Sequence, residues 1–168
     1  IGFFLASFAS QQLLAHHVAY LRSAGVAALM AAGIVGVVGI ASIPAKITWG
    51  FASDRIGREL TYTVGASLVA ASVAVLWLVP VLNLAWLPYL YAVLIGAGYA
   101  SSATLPPIVV ADLFRGPAYA AIFGGIALAS NSGSGVGAWL AGLIFDHTGS
   151  YHLAFLIAVI GVAVSAAC

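Results

Sequence analysis

Charge is nearly missing from this chain: its 168 residues include five Lys or Arg and four Asp or Glu, 5% of the total. A water-soluble domain carries roughly 25%. With hydrophobic residues at 64%, the chain has too little polar surface to cover itself, so a soluble globular protein is excluded and a lipid bilayer becomes the solvent. No run of Lys or Arg is present to meet phosphates and the net charge is only +1, which argues against a nucleic-acid partner. Cysteine occurs once, as Cys168, so no internal disulfide and no thiolate metal spacing is available. Histidine offers no metal spacing either. His16 and His17 are neighbours and diverge by about 100° on a helix, where an i, i+4 pair would be needed. No metal and no cofactor are expected. Mid-segment carboxylates are also lacking, because Asp54, Asp112 and Asp146 all fall at the ends of apolar runs.

What remains is a series of apolar segments set apart by polar or helix-breaking residues. They cover 1–21, 26–49, 60–79, 85–110, 118–145 and 151–168. Lengths near 20 with few charges predict α-helices, and the polar alternation of a membrane barrel is absent. The expected architecture is therefore an all-α membrane protein of six transmembrane helices in one domain, 1–168. The chain starts at Ile1 inside an apolar run, with no basic n-region of a signal peptide, and its last segment is short for a span. Both ends read as cut from within helices. Pro80 is expected to end the third segment, and Pro106-Pro107 to break the hydrogen-bond ladder of the fourth.

Five of the nine charges crowd into residues 46–59: Lys46, Asp54, Arg55, Arg58 and Glu59. Taking this stretch as a cytoplasmic turn places Lys46, Arg55, Arg58 and Arg115 inside and only Arg22 outside, as the positive-inside bias requires. Trp49, Trp77 and Trp86 sit near segment ends, where indole rings favour the membrane interface. Glycine recurs at helical spacing in Gly33, Gly36 and Gly39 and in Gly133 and Gly137. Small residues let helix backbones approach closely in lipid, and smooth faces also let helices slide.

Gly50, Asp54, Arg55, Gly57 and Arg58 spell G-x-x-x-D-R-x-G-R. This resembles the signature of the major facilitator superfamily, which lies between the second and third helices of each six-helix half. Here it lies between the second and third segments. The string Phe145-Asp146-His147-Thr148-Gly149-Ser150-Tyr151, with Ala154-Phe155, is similar to the stretch before the last helix of the monocarboxylate and oxalate/formate branch. Ala111-Asp112-Leu113-Phe114 with Ile122-Phe123-Gly124 is similar to that branch's loop between helices ten and eleven. The resemblance covers essentially the whole chain. It implies the C-terminal half of a twelve-helix bundle built as a 3+3 inverted repeat, with the N-terminal half of the same polypeptide as partner. It further implies secondary active transport of a small solute, an organic anion such as a monocarboxylate, across a cell membrane by alternating access, as symporter or antiporter. Glu59 stands where the family has a basic residue. No cation is expected within the membrane part of the second or fifth segment, so one that binds a carboxylate would have to come from the first half.

Polar side chains in a membrane helix face the bundle or a wet cavity. Gln12, His16 and Tyr20 fall at i, i+4 and i+8 on one face of the first segment. Tyr99 and Ser102 lie three apart in the fourth segment, and Asn131 and Ser134 three apart in the fifth. These seven are the candidate solute pathway. His16, sharing a face with Gln12, is the candidate for any proton step. Lys46, Gly50, Asp54, Arg55, Gly57 and Arg58 make up the candidate cytoplasmic loop motif. Two other function classes compete: an intramembrane hydrolase using Ser132 or Ser134 with His16, and a non-transporting six-helix scaffold or homodimer.

Overall fold

The computed structural model describes residues 1–114 and 116–167; Arg115, counted above among the inside charges, and Cys168 lie outside the described residues. Six helices follow one another: α1 (Gly2–Ser23), α2 (Ala28–Ile56), α3 (Arg58–Leu82), α4 (Leu87–Leu113), α5 (Tyr119–Thr148) and α6 (His152–Ala167). No strand occurs among the described residues. Three of the helices, α2, α3 and α4, are long and apolar enough to cross a membrane. Leu29, Ile40, Leu128 and Trp139 stand out from the helix surfaces with exposures of 64% or more, as suits an apolar solvent and not water.

Helix ends are set by local backbone chemistry. α1 closes in a Schellman turn: Gly25 takes φ +86, the Val26 N–H reaches the Leu21 carbonyl at 3.0 Å, and the Gly25 N–H reaches Arg22 at 3.1 Å. Asn83 after α3 and Gly149 after α5 end their helices in the left-handed region, each donating its N–H back four residues. Between α2 and α3 stands a single residue, Gly57, at φ +91 and ψ 156, a conformation that only glycine holds without strain.

Several boundaries differ from the sequence expectation. The residues expected in a charged turn, Gly50, Asp54 and Arg55, are helical, because α2 continues to Ile56; Lys46, expected near the end of the second segment, has ten more helical residues after it. Polarity marks contact with water or a partner and does not end a helix, and between Pro44 and Gly57 nothing breaks the ladder. Pro80 lies inside α3 and Pro106-Pro107 inside α4, both of which run on past them. Each proline removes one N–H, yet the rest of a long ladder and the neighbouring helices hold the rod together. The last turn of α5 likewise takes in Asp146, His147 and Thr148.

The helices form two groups. α1 packs chiefly on α5 and α6, while α4 packs chiefly on α2 and α3. Glycine governs the close approaches inside each group. On α5, a Cβ at Gly133 or Gly137 would run into the Phe4 or Phe8 carbonyl of α1. At Gly96 of α4 it would come within 2.6 Å of the Val38 carbonyl of α2, and at Gly98 within 2.7 Å of the Val69 side chain of α3. Gly33, Gly36 and Gly39, by contrast, meet nothing within 4 Å. Their stripe is an open face and not a contact within this bundle. Gly137→Ala is expected to cost about 1–3 kcal/mol through backbone overpacking, read as a lower Tm of the detergent-solubilised full-length protein. An unchanged Tm would mean that α1 and α5 do not meet in this register.

Candidate functional site: a cationic helix and a guanidinium clamp

The charged residues gather where α2, α3 and α4 end on one side of the bundle. Arg58, on the first turn of α3, gives Nη1 to Asp54 Oδ1 at 2.5 Å and to Ser53 Oγ at 2.6 Å, and gives Nε to Asp112 Oδ2 at 3.0 Å. One planar fork thus joins the C-terminal end of α2 to that of α4, its five fixed donors suiting two carboxylates and a hydroxyl at once. The Asp54 carboxylate also lies near the N-terminus of α3, whose dipole favours a negative charge. All three groups are water-accessible, with side-chain exposures of 27%, 65% and 45% for Arg58, Asp54 and Asp112. The clamp is therefore a solvent-screened ion-pair cluster and not a buried staple. Gly50 and Gly57 frame it, and Arg55 is exposed.

Lys46 lies deeper. Eight residues before Asp54 on a continuous helix, it stands about 12 Å further along the axis. Its side chain is exposed and pairs with no described residue. The neighbouring exposed positions are Ile43 and Ile47, on the open face of α2 that also carries Gly36 and Gly39.

At the opposite end, His16 is held by two partners. Its Nε2 lies 3.0 Å from the Ala138 carbonyl of α5, and Nδ1 lies 3.3 Å from Tyr151 Oη. A carbonyl only accepts, so the Nε2 carries the proton and the Nδ1 lone pair receives the Tyr151 hydroxyl. Tyr151 in turn stacks on Phe145 at 4.4 Å. Neither ring nitrogen reaches Ser132 or Ser134.

The other sequence candidates are dispersed. Gln12 is fully buried with both amide atoms unpartnered, and Tyr20 is buried with its hydroxyl unpartnered. Ser102 donates to the Tyr99 carbonyl at 2.9 Å, and both residues are half-buried on α4. Asn131 is exposed on α5 and Ser134 half-buried. No contact joins α2 to α5, so the structure does not bring Lys46 and Asn131 together within this bundle. Among the described residues no group of three His, Cys, Asp or Glu side chains is placed to hold a metal ion.

Sequence reasoning missed Asp112 and Ser53 as partners of Arg58, and it missed that α2 runs on past Lys46 to Ile56. The lack of any helix breaker between Pro44 and Gly57 was the available signal for the latter.

The description of the Major Facilitator Superfamily matches the chain over residues 1–168. The chain belongs to that superfamily. Membership makes it a membrane protein of a class that transports small solutes. No curated protein matches the chain.

Proposed function

We propose that this superfamily member is the second six-helix half of a twelve-helix secondary transporter, that all six helices span the membrane, and that it carries a small organic anion of the monocarboxylate kind by alternating access. The observation that carries this reading is Lys46. An ammonium two to three turns inside a membrane helix is costly to insert, by about 2.5–3.5 kcal/mol at the centre, and is retained where it meets a solute, an ion or a water-filled pathway. Lys46 has no carboxylate partner among the described residues, so its charge is available to a solute carboxylate. The open, glycine-lined face of α2 offers that solute a smooth wall.

Conformational change follows from the clamp. Solute binding near the midplane is coupled to rocking of one half against the other, and the Arg58 latch opens or closes with that motion. The inside-positive charge bias supports a cytoplasmic Arg58 side in a cell membrane. Gln12, Tyr20, Tyr99, Ser102, Asn131 and Ser134 are the polar groups left to line or support the path. His16 is the group in this half for a proton step: protonation at Nδ1 would reverse its bond with Tyr151, turning an acceptor into a donor without losing the contact.

The test is uptake by the full-length protein in proteoliposomes under an inward proton gradient. Small carboxylates are the solutes, and sugars and neutral drugs the controls. Carboxylate uptake is expected, with a pH profile that changes in His16→Gln. Uptake of neutral solutes alone would sink the anion reading, and an unchanged pH profile would remove His16 from the proton step.

A further inference from the structure

The seam between the two helix groups is unlike the contacts within them. Inside each group, helices meet backbone against backbone at glycine. Across the seam, apolar side chains such as Leu13, Leu21, Ile34 and Leu76 meet, joined by several polar aromatic ones. Tyr62 of α3 bonds Ser165 of α6, and Ser165 also donates to the Gly2 carbonyl of α1 at 3.0 Å. At the other end, Trp77 of α3 lies 6.2 Å from the ring of His152 on α6, and His17 of α1 lies 5.7 Å from the ring of Tyr91 on α4.

Three of these groups are left with unanswered hydrogen-bonding atoms. His17 is 2% exposed and Tyr91 fully buried, and His17 Nε2, Tyr91 Oη and Trp77 Nε1 are buried without a hydrogen-bond partner. The three atoms differ in kind. His17 Nδ1 lies 3.1 Å from the Leu13 carbonyl and so carries the proton, which leaves Nε2 to accept. Trp77 Nε1 only donates, and Tyr91 Oη does either. Buried polar atoms in native structures are satisfied by protein or by ordered water, more stringently still where the surroundings are lipid. Lower in the same seam lies a cavity of about 10 Å³, lined from four helices by Ser10, Tyr62, Ser101, Ser102 and Ser165 and by as many residues without a polar side chain, Val69 and Val162 among them; Ser101, Ser102 and Ser165 each donate to a backbone carbonyl and keep oxygen lone pairs to accept. That volume is about one water-sized sphere.

We propose that the seam between the α1–α5–α6 group and the α2–α3–α4 group is a water-binding site, with ordered water held in the serine-lined cavity and beside His17, Trp77 and Tyr91. Water both donates and accepts, so it satisfies this mixed set where no single side chain does. Bonds to exchanging water re-form after a small displacement, which interlocked glycine contacts do not allow. The seam is then the surface along which the two groups shift inside one half. This site shares Ser102 with the polar groups assigned above to the path but does not include Lys46, and it stands whether or not the path carries anions.

The full-length protein in lipid nanodiscs is exposed to brief X-ray pulses in oxygen-18 water, and labelled side chains are read by mass spectrometry. Radicals formed from a bound water mark its neighbours. Labelling of His17, Trp77 and Tyr91 is expected alongside the exposed His147; labelling of His147 with the three interior residues unmarked overturns the proposal. Tyr91→Phe gives an independent reading. Loss of a water-bridged hydroxyl lowers Tm by about 2–4 °C, whereas removing a dry, unpartnered hydroxyl leaves Tm unchanged or raises it, and that outcome also overturns the proposal.

Discussion

Lys46→Gln in the full-length protein is expected to reduce carboxylate transport by about 10–100-fold, the loss of one charge-assisted hydrogen bond worth roughly 1.5–3 kcal/mol. Two features make this the most informative single change. Lys46 stands exposed on α2 with no described partner, so its removal strands no carboxylate in this bundle. If Lys46 lies within the bilayer as proposed, removing its unpaired charge also relieves an insertion cost, so folding and membrane insertion should be maintained or improved. A loss of transport with full expression would thus report on the solute and not on stability. Lys46→Arg should keep part of the rate, because a guanidinium also binds carboxylate but with a different reach and fork geometry. The measurement is initial uptake rate against carboxylate concentration. A Lys46→Gln protein with wild-type KM and maximal rate would show that the ammonium does not touch the solute.

The second large effect is at Arg58. Replacing it with Gln removes the polar link between the C-terminal ends of α2 and α4, because the same guanidinium reaches Asp54, Ser53 and Asp112. Most of the transport rate should disappear. Lys at this position should fail almost as badly, since one ammonium on a flexible stem does not reproduce a fork aimed at two helices. A double-mutant cycle separates the two arms. If the Asp112 arm joins the helices, Asp112→Asn slows transport in the wild type and adds nothing in the Arg58→Gln background. Equal effects of Asp112→Asn in both backgrounds would mean that the 3.0 Å contact has no part in the cycle. Because the clamp is water-accessible, stability should change little while rate changes greatly, which distinguishes a moving part from a structural one.

The six helices were legible because a bilayer imposes a length: an apolar run of about 20 residues has one regular solution in lipid. Their ends were less so. Asp54 and Arg55 advertise a polar surrounding, which a helix end and a loop share, and the decisive signal was the single Gly57 and not the charges before it. Pro106 and Pro107 were weighted as breaks from the rule for exposed helices, yet neighbours on both sides hold α4 continuous. Asp54 and Arg58 stood out in the sequence as motif residues but not as a pair, and Asp112 enters from 54 residues away through the fold of α4. The histidines show a similar limit. Adjacent positions on a helix must diverge, and the sequence says so. Which of the two would meet Tyr151 and which Tyr91 depends on where α5 and α4 lie.

Gly57 has one more implication, for tolerance to length change. A lone residue joins a 29-residue rod to a 25-residue rod. One amino acid added there that continued either rod would swing Arg58 through about 100° and carry it about 1.5 Å along the axis, out of register with both of its acids. Nature can therefore edit the chemistry of this elbow but not its stitch count, and naturally occurring variants should keep four steps from acid to base even where the letters between them drift.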